Sequence, residues 1–153
     1  MIALASDHGG LRLKEAVKKL LLERGVPFED CGTDNGESVD YPDYGEKVAR
    51  KVAAGAVEKG ILFCGTGIGM SIVANKFPHV RAALVTDPFM ARMAKEHNNA
   101  NILVLGGRVI NVNEAREMVA TWLDATFEGG RHQGRLDKIA ALEMEIFRTG
   151  FRE

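Results

Sequence analysis

Short aliphatic runs alternate with amphipathic stretches along this whole chain, and that alternation implies parallel strands joined by crossover helices. Ile2–Ser6, Val26–Cys31, Gly60–Cys64, Arg81–Val85 and Ile102–Leu105 read as five strands. Pro27 puts the second at an edge of the sheet. Between them, Leu11–Arg24 carries Leu13, Ala16, Val17, Leu20 and Leu21 on one helical face and stops at Gly25. Gly32–Tyr41 reads as a polar loop, and Pro42 suits the first turn of a helix reaching about Ala54. Further helices are expected from the glycine-rich turn to Phe77, over Pro88–Glu96 and over Asn113–Thr126, which carries Trp122. Glu128–Arg135 reads as a loop and Leu136–Arg148 as a final helix. The pattern fits a doubly wound α/β fold, flavodoxin-like or Rossmann-like: a five-stranded parallel sheet in three α/β/α layers with an extended C-terminal helix. The expected strand order is 2-1-3-4-5.

At 153 residues, positions 1–153 form one expected domain. A net charge of -1 argues against a nucleic-acid or anionic-membrane partner. No apolar run approaches the ~20 residues needed to span a bilayer. Met1 leads into Ile2–Ala5 without a basic leader, so no signal peptide is expected. Two cysteines, Cys31 and Cys64, lie outside any CxxC pair, and reduced thiols in a cytoplasmic protein are the reading that follows.

In open α/β sheets ligands bind beyond the carboxyl ends of the strands, near the point where strand order reverses. Two unusual loops are predicted to meet there: Asp7-His8-Gly9-Gly10 after the first strand and Cys64-Gly65-Thr66-Gly67-Ile68-Gly69 after the third. Glycines at alternate positions let successive N–H groups converge on one spot at a helix start, a cradle for phosphate or an oxyanion. A plain strand-to-helix turn would use the same glycines. The loop has no Walker A lysine and is not GxGxxG, although Asp87 ends the next strand where a ribose-binding acid would sit. Cys64 stands at the mouth of this cradle, where the helix terminus would favour a thiolate base; a buried structural cysteine is the alternative. Cys31 reads as core filler, one strand too far from Cys64 for a disulfide. His8 suits phosphate and Asp7 can accept hydrogen bonds from hydroxyls, although Asp7 also suits a turn.

His97-Asn98-Asn99 precedes the fifth strand, at its amino end. Crossing five strand residues takes ~16 Å. His97 is therefore either structural or serves the site of a second subunit. Arg131 and Arg135, four apart near a helix start, oppose the helix dipole unless an anion compensates. Arg108, beyond Gly106-Gly107, is another anion candidate.

Asp7-His8-Gly9-Gly10, Asp40-Tyr41-Pro42-Asp43-Tyr44, Cys64 through Gly69, Asn75-Lys76, His97-Asn98 and Gly129-Gly130-Arg131-His132-Gln133 together resemble the sugar-phosphate isomerase family of ribose-5-phosphate isomerase B and the galactose-6-phosphate isomerase subunits. The resemblance spans essentially the whole chain. It implies a metal-independent aldose-ketose isomerase of carbohydrate metabolism, working without cofactor as a homodimer or homotetramer with sites shared between subunits. By the same resemblance Cys64 moves a proton between C1 and C2, Thr66 helps shuttle the hydroxyl proton, and amides of Gly65, Gly67, Ile68 and Gly69 stabilise the enediolate. His97 would open the sugar ring and Asn98 bind the intermediate. Asp7 and Tyr41 would contact hydroxyls, and His8, Arg108, Arg131 and Arg135 the phosphate, the last two from the partner. Some relatives carry a glutamate base instead of this cysteine. The substrate implied is ribose 5-phosphate, with a four- or six-carbon sugar phosphate as the alternative. A non-catalytic sugar-phosphate or nucleotide sensor would keep the cradle and the arginines without needing Cys64.

Overall fold

A computed structural model describes residues 1–152. The chain runs β1 (Ile2–Ser6), α1 (Leu11–Glu23), β2 (Phe28–Asp30), α2 (Tyr41–Ala53), β3 (Lys59–Cys64), α3 (Ile68–Ala74), β4 (Ala82–Leu84), α4 (Pro88–Glu96), β5 (Ile102–Gly106), α5 (Val112–Asp124) and α6 (Arg131–Thr149). All strand pairings are parallel. Side chains alternate across the sheet, as the two-residue period of a strand demands. Ile2, Leu4, Ile61, Phe63, Leu103 and Leu105 pack with α1, α4 and α5, around the fully buried Trp122. Ala3, Ala5, Leu62, Cys64 and Val104 pack with α2 and α3 on the other face. The result is the expected three-layer α/β/α architecture.

The strand order is β2-β1-β3-β5-β4, so the expected exchange-free order 2-1-3-4-5 is wrong at one edge. The reason lies in the residues. Ile-Leu-Val-Leu-Gly of β5 is buried at every position, whereas the three residues of β4 are all half-buried. A strand apolar on both faces needs a neighbour on each side and helices over both surfaces. The short β4 takes the edge instead. Asn75 there mimics a strand, accepting from the Ala82 amide (2.9 Å) and donating to its carbonyl (3.0 Å). Asp87, considered above for a ribose, caps α4 by accepting from the Met90 amide at 2.8 Å.

α6 begins at Arg131, five residues before the expected start, because Gly129 and Gly130 at φ 67° and 56° turn the chain into the helix. His132 and Leu136 are its buried residues. Ile139, Leu142, Met144, Ile146 and Phe147 leave an apolar surface exposed, Phe147 by 80%. No helix among the described residues is long and apolar enough to cross a membrane.

Lys14 lies in the apolar stripe of α1 and is completely buried. Its ammonium meets Asp30 Oδ1 at 2.7 Å and donates to the Thr33 carbonyl, while Lys18 reaches Asp30 Oδ2 at 2.7 Å. Burial alone would push the Asp30 carboxyl up. Hydrogen bonds from Lys14, Lys18 and the Gly32 amide outweigh it and hold the group below its ordinary value. Lys14→Ala removes one of three donors to that carboxylate and the donor to the Thr33 carbonyl, and should cost about 3 kcal/mol, the low end for breaking a buried pair since Lys18 remains. That corresponds to a fall of roughly 6–12 °C in the midpoint of thermal unfolding. Because the folded value of Asp30 is depressed, its contribution is present above the unfolded carboxyl pKa of about 3.9 and lost as pH falls through the folded value. An Asp30→Asn protein should therefore show a flatter acid limb in stability against pH; an unchanged limb would refute the assignment.

Candidate active site

With β5 beside β3, the loops after β1, β3 and β5 meet at the carboxyl rim of the sheet. The Gly107 amide donates to the Cys64 carbonyl and the Arg108 amide to that of Gly65, both at 2.8 Å. The contact is so close that a Cβ on Gly107 would stand well inside van der Waals contact with the Gly9 carbonyl oxygen. The expected order would have left Arg108 a strand further away. Instead its guanidinium lies over Gly65, where a Cβ would stand 3.1 Å from Nη1.

Cys64 points into the α2/α3 layer, and the first turn of α3 cups it. Its Sγ accepts from the Gly67 amide at 3.2 Å, and the residue is 4% exposed. Gly67 supplies the left-handed φ of 82° that turns the next amides inward. Thr66 is exposed and accepts from the Ile68 amide at 3.3 Å. Thus the cradle amides are already aimed at a sulfur and a hydroxyl rather than buried in a helix. The Tyr41 ring lies against Gly69, closer than any Cβ there would permit, and Ile68 projects outward at the same rim. Asp7 is buried, and its Oδ1 accepts from the Gly10 amide at 3.1 Å, which is turn chemistry. His8 Nδ1 accepts from the Val39 amide at 3.2 Å; in the neutral ring the proton is then on Nε2, free to donate to a ligand. Cys31 is half-buried against the core, and desolvation pushes its thiol up.

His97, Asn98, Arg131 and Arg135 lie at the opposite rim. His97 caps α4 at its C-terminus just before β5, whereas Cys64 pairs with Gly106 at the far end of that strand. One chain therefore brings Cys64, Thr66, Gly65, Gly67, Ile68, Gly69, Asp7, His8, Tyr41 and Arg108 together, and holds the other four apart from them. Arg81 braces the second group: its guanidinium donates to the carbonyls of Asn98 (3.2 Å) and Asn99 (2.9 Å). Burial pushes that guanidinium down while Glu143 opposes the shift. Asn98, Arg131 and Arg135 are exposed and His97 half-exposed.

Two residues here had no role in the sequence reading. His132 stacks on His97, and Glu128 stands beside both. The four-residue spacing of Glu128 and His132 was visible, but nothing local showed that this turn returns to the end of α4. His97, Glu128 and His132 are the group of side chains best placed to hold a metal ion among the described residues. Yet rings tilted by 14° send their in-plane lone pairs side by side, whereas chelation needs both aimed at one point ~2.0–2.1 Å away.

Gly107→Ala should force the β1 and β5 loops apart, costing about 1–3 kcal/mol by overpacking. It should also weaken affinity for an anion at this rim, read by calorimetry with inorganic phosphate as the probe and the wild type as reference. Unchanged affinity and stability would show that the three-loop contact is dispensable.

Comparison with known proteins agrees with this architecture. Residues 2–139 match the family described as ribose/galactose isomerase. Ribose-5-phosphate isomerase B of Escherichia coli is 46% identical over 142 residues, covering 93% of this chain and 95% of that protein. D-Erythrulose-4-phosphate isomerase of Pectobacterium atrosepticum is 41% identical over 143 residues, with 93% and 94% covered. The structure of ribose-5-phosphate isomerase B from Mycoplasma genitalium with bound ribulose 5-phosphate superposes with a TM-score of 0.91 at 42% identity, covering 94% of this chain and 96% of that one.

Proposed function

The chain belongs to the ribose/galactose isomerase family, and from that premise we propose that it interconverts ribose 5-phosphate and ribulose 5-phosphate through an enediolate. The observation that carries this reading is the Cys64 sulfur, 3.2 Å from the Gly67 amide, in a cradle flanked by Arg108 over Gly65 and Tyr41 over Gly69. Moving a hydrogen between adjacent carbons needs a base, an oxyanion hole and a linear sugar. Cys64 removes the C2 proton of the open-chain aldose and returns it to C1. Negative charge then develops on the substrate oxygen, where the amides of Gly65 through Gly69 can meet it. Thr66 passes the hydroxyl proton between O1 and O2. Asp7 and Tyr41 hold hydroxyls, and His8 and Arg108 hold the phosphate, whose binding energy orients the reacting end. No step calls on a metal or a cofactor.

His97 opens the furanose ring, Asn98 binds the intermediate, and Arg131 and Arg135 complete the phosphate site, all from a partner subunit. Two features support a homodimer, alone or within a homotetramer. The candidate residues fall on opposite rims of one protomer, and α6 leaves an apolar face uncovered. Positions 1–153 act as one domain, in the cytoplasm, supplying the pentose phosphate pathway. A four- or six-carbon sugar phosphate is the second reading, favoured by the relative that acts on erythrulose 4-phosphate and by the galactose half of the family description.

Cys64→Ala should lower turnover by about 10²–10⁴-fold, the usual worth of a placed base, while calorimetry finds sugar-phosphate affinity kept. Unchanged turnover would remove the base assignment; a wild type that binds without turning over would instead mark a sensor. Among four-, five- and six-carbon aldose phosphates, ribose 5-phosphate should give the highest kcat/KM, and a better tetrose or hexose would reassign the substrate. Mixing and reassembling inactive Cys64→Ala and His97→Asn proteins tests the shared site. In random dimers half the molecules are mixed and one of their two sites is intact, so about a quarter of wild-type activity should return. No recovery after verified subunit exchange would place both residues in one chain's site.

A further inference from the structure

A second cluster of side chains, away from the cysteine rim, surrounds His97. His97 ends α4, with φ −101° and ψ −40°, where its own helix no longer confines the ring. His132, 6% exposed and second in α6, lies face to face with it: ring centroids 4.1 Å apart, planes tilted by 14°. Glu128 Oε2 is 3.3 Å from His132 Nε2 but 3.9 Å from His97 Nε2, so the carboxylate stands nearer the buried ring than the exposed one. The backbone closes the arrangement. The Glu128 amide donates to the Glu96 carbonyl, and the His132 amide to that of Gly129, both at 3.0 Å. Glu128 is thereby tied directly to the residue that precedes His97, and His132 to the turn that follows Glu128.

The geometry points to His132, held by Glu128, as a positioning residue that sets the ring plane of His97 for sugar ring opening. This rests on the ring-opening role given to His97 above. Proton transfer from imidazole runs along the in-plane direction of the nitrogen, so rotation of the ring about its Cβ–Cγ bond misaims it. A flat, buried partner against one face removes that rotation while leaving the ring edge and the other face for the ligand. Support of this kind is what keeps a reacting group within the small angular window that catalysis needs.

The test separates ring opening from proton transfer on carbon. Ribose 5-phosphate closes to a furanose. Ribulose 5-phosphate has its C5 oxygen esterified and cannot, so deuterium wash-in at its C1 needs the base and no ring opening. Both rates are measured on the intact protein for His97→Asn, His132→Ala, His132→Phe and Glu128→Gln. His97→Asn should slow ribose 5-phosphate turnover far more than wash-in. His132→Ala should show the same imbalance, with kcat for ribose 5-phosphate down about tenfold, KM little moved and wash-in less affected. His132→Phe restores a flat face and should recover part of that kcat. Glu128→Gln, at a half-exposed position, should fold normally and show a smaller loss of the same kind. Equal loss in both rates for His132→Ala, or wild-type behaviour of His132→Ala or Glu128→Gln while His97→Asn remains selective, overturns the positioning role alone. If His132→Ala fails to fold, Glu128→Gln and His132→Phe decide by the same imbalance. A His97→Asn protein slowed equally in both rates overturns the ring-opening reading first, and this inference with it.

Discussion

A strand with no polar side chain cannot sit at the margin of a sheet, and most of what positions the candidate site follows from that constraint on β5. Lodged between β3 and β4, it puts its outgoing loop directly against those of β1 and β3. Three backbones then share a space that admits no Cβ on Gly107. The crowding fixes Arg108 over Gly65 and leaves the α3 terminus facing the Cys64 sulfur. Packing of the core and shape of the pocket are here the same fact: the sheet could not be reordered without dismantling the cradle.

A second constraint works from below. Lys14 is a cation with no access to water, tolerable because Asp30 and the Thr33 carbonyl surround it. Those partners lie where β2 gives way to the long loop, and Ser6 at the end of β1 binds that loop, its amide donating to the Gly32 carbonyl and its carbonyl accepting from the Thr33 amide. The loop continues to Val39, whose amide holds His8. A buried charge in α1 thus secures the segment that orients an imidazole at the rim.

Much of this was legible in the residues. All five strands, the helices of the first four crossovers and the meeting of the Asp7 and Cys64 loops could be read from period and glycine placement, since each is local. The order of the last two strands could have been read as well, had the unbroken apolar run of β5 been weighed against the short Ala82–Leu84. The start of α6 was obscured because its first turn is polar throughout and its stripe begins only at Leu136. Lys14 falls in register with Val17 and Leu21, three and seven residues on, so its burial left a signal; its partner Asp30, brought in by strand pairing, left none. The stack on His97 depends on a return of chain from α5 to α4, which no local pattern encodes.

α6 buries side chains only at one end, although Glu143 further along accepts from the His79 amide at 3.0 Å. Its 19 residues reach nearly 30 Å at about 1.5 Å per residue, while burial is confined to His132 and Leu136 in its first two turns. Leu142, Met144 and Phe147 therefore emerge from synthesis as an oily lever arm, sticky toward any apolar surface met first. An apolar face of that length favours association with whatever apolar surface covers it.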